Sequence, residues 1–285
     1  MNFKIVSDSS SNILGGEDPC FASVPMKVIA EKEYMDAPGL DVAQMVAELK
    51  NHKGKSGSSC PNVGEWLEAF GDAEVIYGTT ISGTLSGSYS AACHAAETYM
   101  EEHPERKVFI LDSMTTGPEE AMLHDKLRQL AESGLTPEQV RDAAIDYHAH
   151  THTLFCLESL TNLARNGRIN PAVAKIAGVL GIRVCGDAKD AQISPIHKAR
   201  GMKKATQVLM DLIRERGFQD GNLMRIAHCF GLEQAQALKE AVLAEYPNAR
   251  ILIEPTTALC SFYAESGGLI IGMEGSYNEH NHIKK

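Results

Sequence analysis

Residues 84–90, Thr-Leu-Ser-Gly-Ser-Tyr-Ser, set the aliphatic hydroxyls of Thr84, Ser86, Ser88 and Ser90 and one glycine just ahead of a stripe of Leu85, Tyr89, Ala92, Cys93, Ala96, Tyr99 and Met100 at helical spacing. The chemistry open to such a turn is anion binding. The first N–H groups of a helix lack intrahelical acceptors and lie at the positive end of its dipole, the hydroxyls add donors, and Gly87 lets a ligand approach the backbone. One serine would cap the helix. The surplus points to a carboxylate or a phosphate. A second hydroxyl-rich turn, "KSGSSCPNVGEWLEAF", reads as capping by Asn62 or a neighbouring serine, with Trp66 and Phe70 as core residues one turn apart.

Other chemistries find less support. Gly83-Thr84-Leu85-Ser86-Gly87 departs from the GxSxG elbow, and no histidine or acid is tied to Ser86, so a serine-dependent acyl hydrolase is the weaker alternative. Neither a Walker loop nor GxGxxG is present. His148, His150 and His152 recur at period two and would share a face only in an extended strand, whereas the helical pattern runs into His148; no metal site is expected there, and His280 and His282 are read as solvated. The seven cysteines (Cys20, Cys60, Cys93, Cys156, Cys185, Cys229, Cys260) are dispersed and without a CxxC pair, which fits reduced packing residues.

Composition narrows the class further. The chain has 285 residues and 37 acids against 27 Lys and Arg, a net charge of −10 that disfavours nucleic-acid binding. No run of eighteen apolar residues and no signal-peptide core is visible, so the expectation is a cytoplasmic chain with no transmembrane segment. Against the acidic background, Arg165, Arg168, Lys175, Arg183, Lys189, Lys198, Arg200, Lys203 and Lys204 meet only Asp187 and Asp190 between residues 165 and 204. That window is either a solvated face or a surface for an anion or partner.

The elements that must position these groups follow an α/β pattern, and the length favours two packed units. "FKIV", "VIYG" and "VFIL" read as buried parallel strands that empty into polar ends at 7–10, 79–83 and 112–117, where an open parallel sheet places its ligand. Helices are expected over 118–132 and from 136 to 148, then a strand over 153–156. Beyond lie a helix ended by Gly167, a short buried helix at 171–180, two strands joined by a polar turn within 182–199, a long helix from Gly201, and strands near "LMRIAHC", "RILIEP" and "SGGLIIGM". The expected division is an α/β domain over 1–155 with the anion-binding loops, an α+β domain over 156–275, and a polar, disordered tail over 276–285, with the ligand between the domains.

The ordered set "KIVSDSS", "VPMKV" then "YMD", "SSCPN", "ISGTLSGSYSAA", "ILDS", "LARNGRI" and "HKARGMKKA" resembles the DegV family of bacterial fatty-acid-binding proteins over nearly the whole chain. The resemblance implies a two-domain α/β lipid carrier, itself no enzyme and with no cofactor or metal, that buries one long-chain fatty acid and in some members presents it to a fatty-acid kinase subunit. By motif position, Ser58, Ser86 and the Gly87 amide correspond to the carboxylate-holding groups, and Arg168 and Arg200 to arginines near the head group and kinase-facing surface. One departure stands out. Where the family carries His-x-Gly-Pro-Gly, this chain has Tyr263-Ala264-Glu265-Ser266-Gly267, so a neutral hydroxyl replaces an imidazole and Glu265 is expected to bring a negative charge toward the head group. That change tells against phosphoryl transfer more than against lipid binding. A non-lipid interaction or regulatory protein is the other alternative.

Overall fold

Four strands, β1 (Phe3–Asp8), β2 (Phe21–Val24), β6 (Val75–Thr80) and β7 (Lys107–Asp112), form a parallel sheet in the order β2-β1-β6-β7. The computed structural model describes residues 2–16, 18–172, 181–280 and 283. All six residues of β6 are buried, which is why this central strand reads as an unbroken run rather than an alternation. Helix α2 (Val63–Phe70) and α3 (Ser88–Glu102) cover one face through Trp66, Phe70, Ala92 and Tyr99, and α4 (Pro118–Ala131) and α5 (Pro137–His148) cover the other through Leu123, Leu127, Val140 and Ala144. Three short antiparallel strands, β3 (Lys27–Ile29), β4 (Glu33–Met35) and β5 (Gly57–Ser59), make a small sheet in the order β4-β3-β5, with α1 (Val42–Asn51) inserted between β4 and β5.

The second sheet has six strands in the order β10-β9-β8-β13-β11-β12. They are β8 (Thr151–Leu157), β9 (Ile182–Lys189), β10 (Gln192–Arg200), β11 (Leu223–His228), β12 (Arg250–Pro255) and β13 (Leu269–Glu274). Helices α7 (Met202–Glu215) and α8 (Leu232–Glu245) pack on one face against Leu154, Met224 and Ile271. The other face meets the first unit. There Gly272 passes so close to α4 that a Cβ would lie 2.5 Å from Glu119 N, leaving no room for a side chain. Two further short helices are α6 (Thr161–Arg165) and α9 (Ala258–Ala264), and a 3-10 turn spans Ser9–Ser11.

β8 belongs wholly to the six-stranded sheet, so the chain passes from one sheet to the other at Ala149-His150, ahead of the division expected at 155. The three histidines part company: His148 Nε2 meets Ser113 O at 2.6 Å, His150 Nδ1 meets Asp146 O at 2.9 Å, and His152 Nε2 meets Ser276 O at 2.9 Å. Where it is described, the tail, expected from its polarity to be disordered, packs against the rest of the chain. Asn278 donates to Ala149 O at 2.7 Å and Thr151 O at 3.0 Å, and Ile283 is buried beside Leu123 and Leu127. Lys175, His282 and all but the first two residues of the expected helix at 171–180 lie outside the described residues.

Behind the strand ends the serines serve buried acids. Asp8 accepts from Ser10 N–H, Ser10 Oγ–H, Ile81 N–H and Ser88 Oγ–H. Ser10 Oγ lies 2.5 Å from Asp8 Oδ1 and 2.6 Å from Glu120 Oε2. One hydroxyl proton cannot serve both acceptors, so one carboxyl carries its own. Burial first and the neighbouring Asp8 charge second push Glu120 well above its ordinary value, which makes Glu120 the protonated partner. Because its folded value is the higher one, this stabilisation is complete below about 4.5 and is lost as pH rises through the raised value. Thermal melts across that range should show the midpoint falling with pH, and Glu120→Gln, which keeps a donor toward Ser10, should flatten the slope. A variant with the parent's slope would contradict the assignment.

Candidate functional site

The space between the strand ends of the parallel sheet and the face of the six-stranded sheet opposite α7 and α8 is a largely apolar cavity of about 890 Å³, counting the space out to its mouth. Thr153, Phe155 and Leu157 of β8 line it. Alternation along a strand puts these three on one face, and four residue steps at about 3.3 Å each give a floor roughly 13 Å long. Gly186 on β9 sits under that floor: a Cβ there would come 2.1 Å from Ser194 O and 2.6 Å from Phe155 Cζ, so the position holds the Phe155 ring in place by having no side chain. Leu85, Ile81, Ile193, Leu259 and Ile270 supply further apolar wall.

Thr115, Thr116, Asp187 and Gln192 also line the cavity, and four further polar residues gather from distant parts of the chain. Ser58, Ser86, Arg168 and Tyr263, separated by up to 205 residues in sequence, all line the cavity. Ser58 is presented by β5 through its pairing with Val28 of β3, and its Oγ lies 2.7 Å from Tyr263 OH. Ser86 ends a turn closed by its N–H to Ser82 O at 3.1 Å, and its hydroxyl accepts from Ser88 N–H at 3.2 Å. Gly87 is the N-cap of α3 and, with Ser86 and Arg168, lines the outer cleft adjoining the mouth. A Cβ on Gly87 would stand 3.3 Å from Cys60 Sγ, so the two hydroxyl-rich turns meet here. Arg168 follows the Gly167 turn that ends α6, and its Nε donates to Leu85 O at 3.2 Å. Arg200 stands apart, exposed at the end of β10 and outside the cavity lining.

The four hydroxyls of 84–90 therefore have different tasks. Ser86 alone lines the main cavity; Thr84 donates to Ala191 O, Ser88 is buried against Asp8, and Ser90 is exposed. Among the described residues, neither an imidazole nor a carboxylate is a hydrogen-bond partner of the Ser86 hydroxyl, the arrangement that would activate it as a nucleophile.

Tyr263 is set by α9, a seven-residue helix that spacing alone did not disclose. Its first turn docks on Asp36: Oδ1 accepts from Ala258 N–H at 2.7 Å, and Oδ2 from Leu259 N–H at 3.1 Å, Thr257 Oγ1–H at 3.2 Å and Ser9 Oγ–H at 2.9 Å. A carboxylate at the positive end of a helix satisfies two of its orphan donors at once. Glu265, expected to bring charge toward the head group, instead accepts from Ser159 Oγ–H at 2.8 Å and Asn162 N–H at 3.1 Å at the start of α6. It does so from a left-handed backbone, φ +54°, the conformation that favours glycine at this place in the family motif. Replacing Glu265 with alanine should loosen α6, and with it Arg168, and raise the exchange of the 161–168 amides by about tenfold for a capping loss near 1.4 kcal/mol. Hydrogen exchange at those amides is the check, and unchanged protection would contradict the role.

The sequence model of the DegV family matches residues 2–274. A DegV domain-containing protein of Streptococcus pneumoniae is 36% identical over 280 residues, covering 96% of this chain and 99% of the relative. Among solved structures, a DegV family protein from Eubacterium eligens loaded with heptadecanoic acid superposes with a TM-score of 0.93 at 36% identity, covering 96% of this chain and 100% of that one. The Streptococcus pneumoniae fatty acid kinase (Fak) B3 protein loaded with linoleic acid does so with a TM-score of 0.93 at 36% identity, over 97% and 100%.

Proposed function

The chain belongs to the DegV family, and from that premise we propose that it binds one long-chain fatty acid, its acyl chain along the β8 floor and its carboxylate against Ser58, Ser86, the Gly87 amide and Arg168. The observation that carries this reading is a largely apolar cavity lined also by Ser58, Ser86, Arg168 and Tyr263. Ser58 and Tyr263 share one hydrogen bond. One hydroxyl donates to the other, so the pair retains a single O–H to offer a carboxylate. Burying about fourteen methylenes at ~0.8 kcal/mol each yields on the order of 11 kcal/mol before association costs, against roughly 1.5–3 per charged hydrogen bond. The acyl chain thus dominates affinity and the hydroxyls orient the head group. Ser86→Ala is expected to weaken palmitate or oleate binding to the delipidated protein by about 1–3 kcal/mol while leaving the ligand-free melting temperature within a degree or two. If Ser86→Ala and Ser58→Ala both hold lipid as the parent does, the carboxylate lies elsewhere.

The proposal extends to presentation of the lipid. We take the chain for a cytoplasmic, non-catalytic carrier in which Arg168 at the mouth and exposed Arg200 on β10 face a fatty-acid kinase subunit. Tyr263 offers that subunit a hydroxyl paired with Ser58 Oγ, where the family motif has an imidazole. Acyl-phosphate formation with a kinase partner, ATP and fatty acid is therefore expected to be weak, and Tyr263→His to raise it. Robust acyl phosphate from the parent would contradict this part.

A further inference from the structure

We propose that Met114 is the stop that sets how long an acyl chain the cavity accepts, an inference that rests on the fatty-acid reading above. Met114, Ala188 and Ala191 line the main cavity and also a second, much smaller void whose other walls are Glu119, Asn278 and His280. The three shared residues are the partition between the two spaces. None of Ser58, Ser86, Arg168 and Tyr263 touches the second void, so the partition lies away from those four donors. Two of its members are alanines, which have nothing to retract. Met114 alone has a side chain long and flexible enough to decide where the cavity ends.

The backbone supports the assignment. Met114 is held at φ +54°, a left-handed conformation uncommon for a long side chain. Its N–H donates to Asp112 Oδ1 at 2.9 Å, and the same oxygen accepts from Gly83 N–H at 3.0 Å, so the strained turn is tied to the loop that carries Ser86. Such conformations persist where the surroundings impose them, often at a ligand. The void beyond is walled by the polar residues Glu119, Asn278 and His280, which offer a terminal methyl group little apolar contact. A chain that outgrows Met114 meets a polar wall.

The test is competitive loading. Delipidated parent, Met114→Gly and Met114→Phe are each incubated with an equimolar mixture of saturated acids from fourteen to twenty-two carbons, and the retained acids are extracted and weighed by mass spectrometry. Glycine suits the left-handed backbone, which guards that variant against misfolding. Met114→Gly should shift the preferred length upward by about two to four carbons, the room vacated by the four lost heavy atoms, and Met114→Phe should shift it downward. A loaded parent with a variant distribution identical to its own overturns the role of Met114 alone. A parent that retains no acid overturns the fatty-acid reading, and the stop with it.

Discussion

Asp36→Ala should lower the unfolding free energy by about 3–5 kcal/mol and reduce fatty-acid affinity more than tenfold. The carboxylate is buried and accepts four hydrogen bonds, two from the first turn of α9 and one each from Thr257 and Ser9. Removing it strands all four donors away from water, each at about 1–3 kcal/mol less whatever relaxation recovers. The loss passes to the cavity because α9 carries Leu259, Cys260 and Tyr263 into its wall. Asp36→Asn, which keeps one acceptor, should fall between. Urea unfolding with and without ligand is the measurement, and an alanine variant within about 1 kcal/mol of the parent would contradict the linkage.

Gly186→Val should act on the floor itself. The new side chain has backbone on one side, Ser194 O at 2.1 Å, and the Phe155 ring on the other at 2.6 Å. The backbone cannot yield without breaking the pairing of β9 with β10, so the ring must turn into the cavity. Overpacking of this kind costs typically 1–3 kcal/mol, and more where strands must part. Lipid retention should drop to near zero while the variant, if folded, keeps the α7 and α8 packing on the opposite face. A Gly186→Val protein that retains the parent's lipid would show that Phe155 does not shape the site.

Strands β1, β6 and β7 and helices α4 and α5 could be read from the chain because each carries its own local signal. α4 has Pro118 at its first turn, and α5 has a capping box between Thr136 and Gln139. Helix α9 and strands β2 to β5 could not: they are three to seven residues long, too short to show a period, and α9 and β5 rely on the distant partners Asp36 and Val28. Hydroxyls were ambiguous for the same reason. Ser86 and Ser88 are two residues apart and look alike, yet Ser86 faces the cavity and Ser88 faces a buried acid that belongs to β1. The Ser58–Tyr263 contact spans 205 residues and leaves no trace in spacing. Motif order indicated those two positions, and only the fold explains why they meet.

The central claim is that one fatty acid occupies the cavity, and the most direct measurement is mass spectrometry of the protein purified from a bacterial host, first under native and then under denaturing conditions. An apolar lining of this extent left empty would expose its surface to water, so the protein should emerge loaded. The expected result is a native mass exceeding the denatured mass by one long-chain fatty acid, which organic extraction then releases. A native mass equal to the bare chain, with no uptake of added palmitate or oleate, would contradict the account.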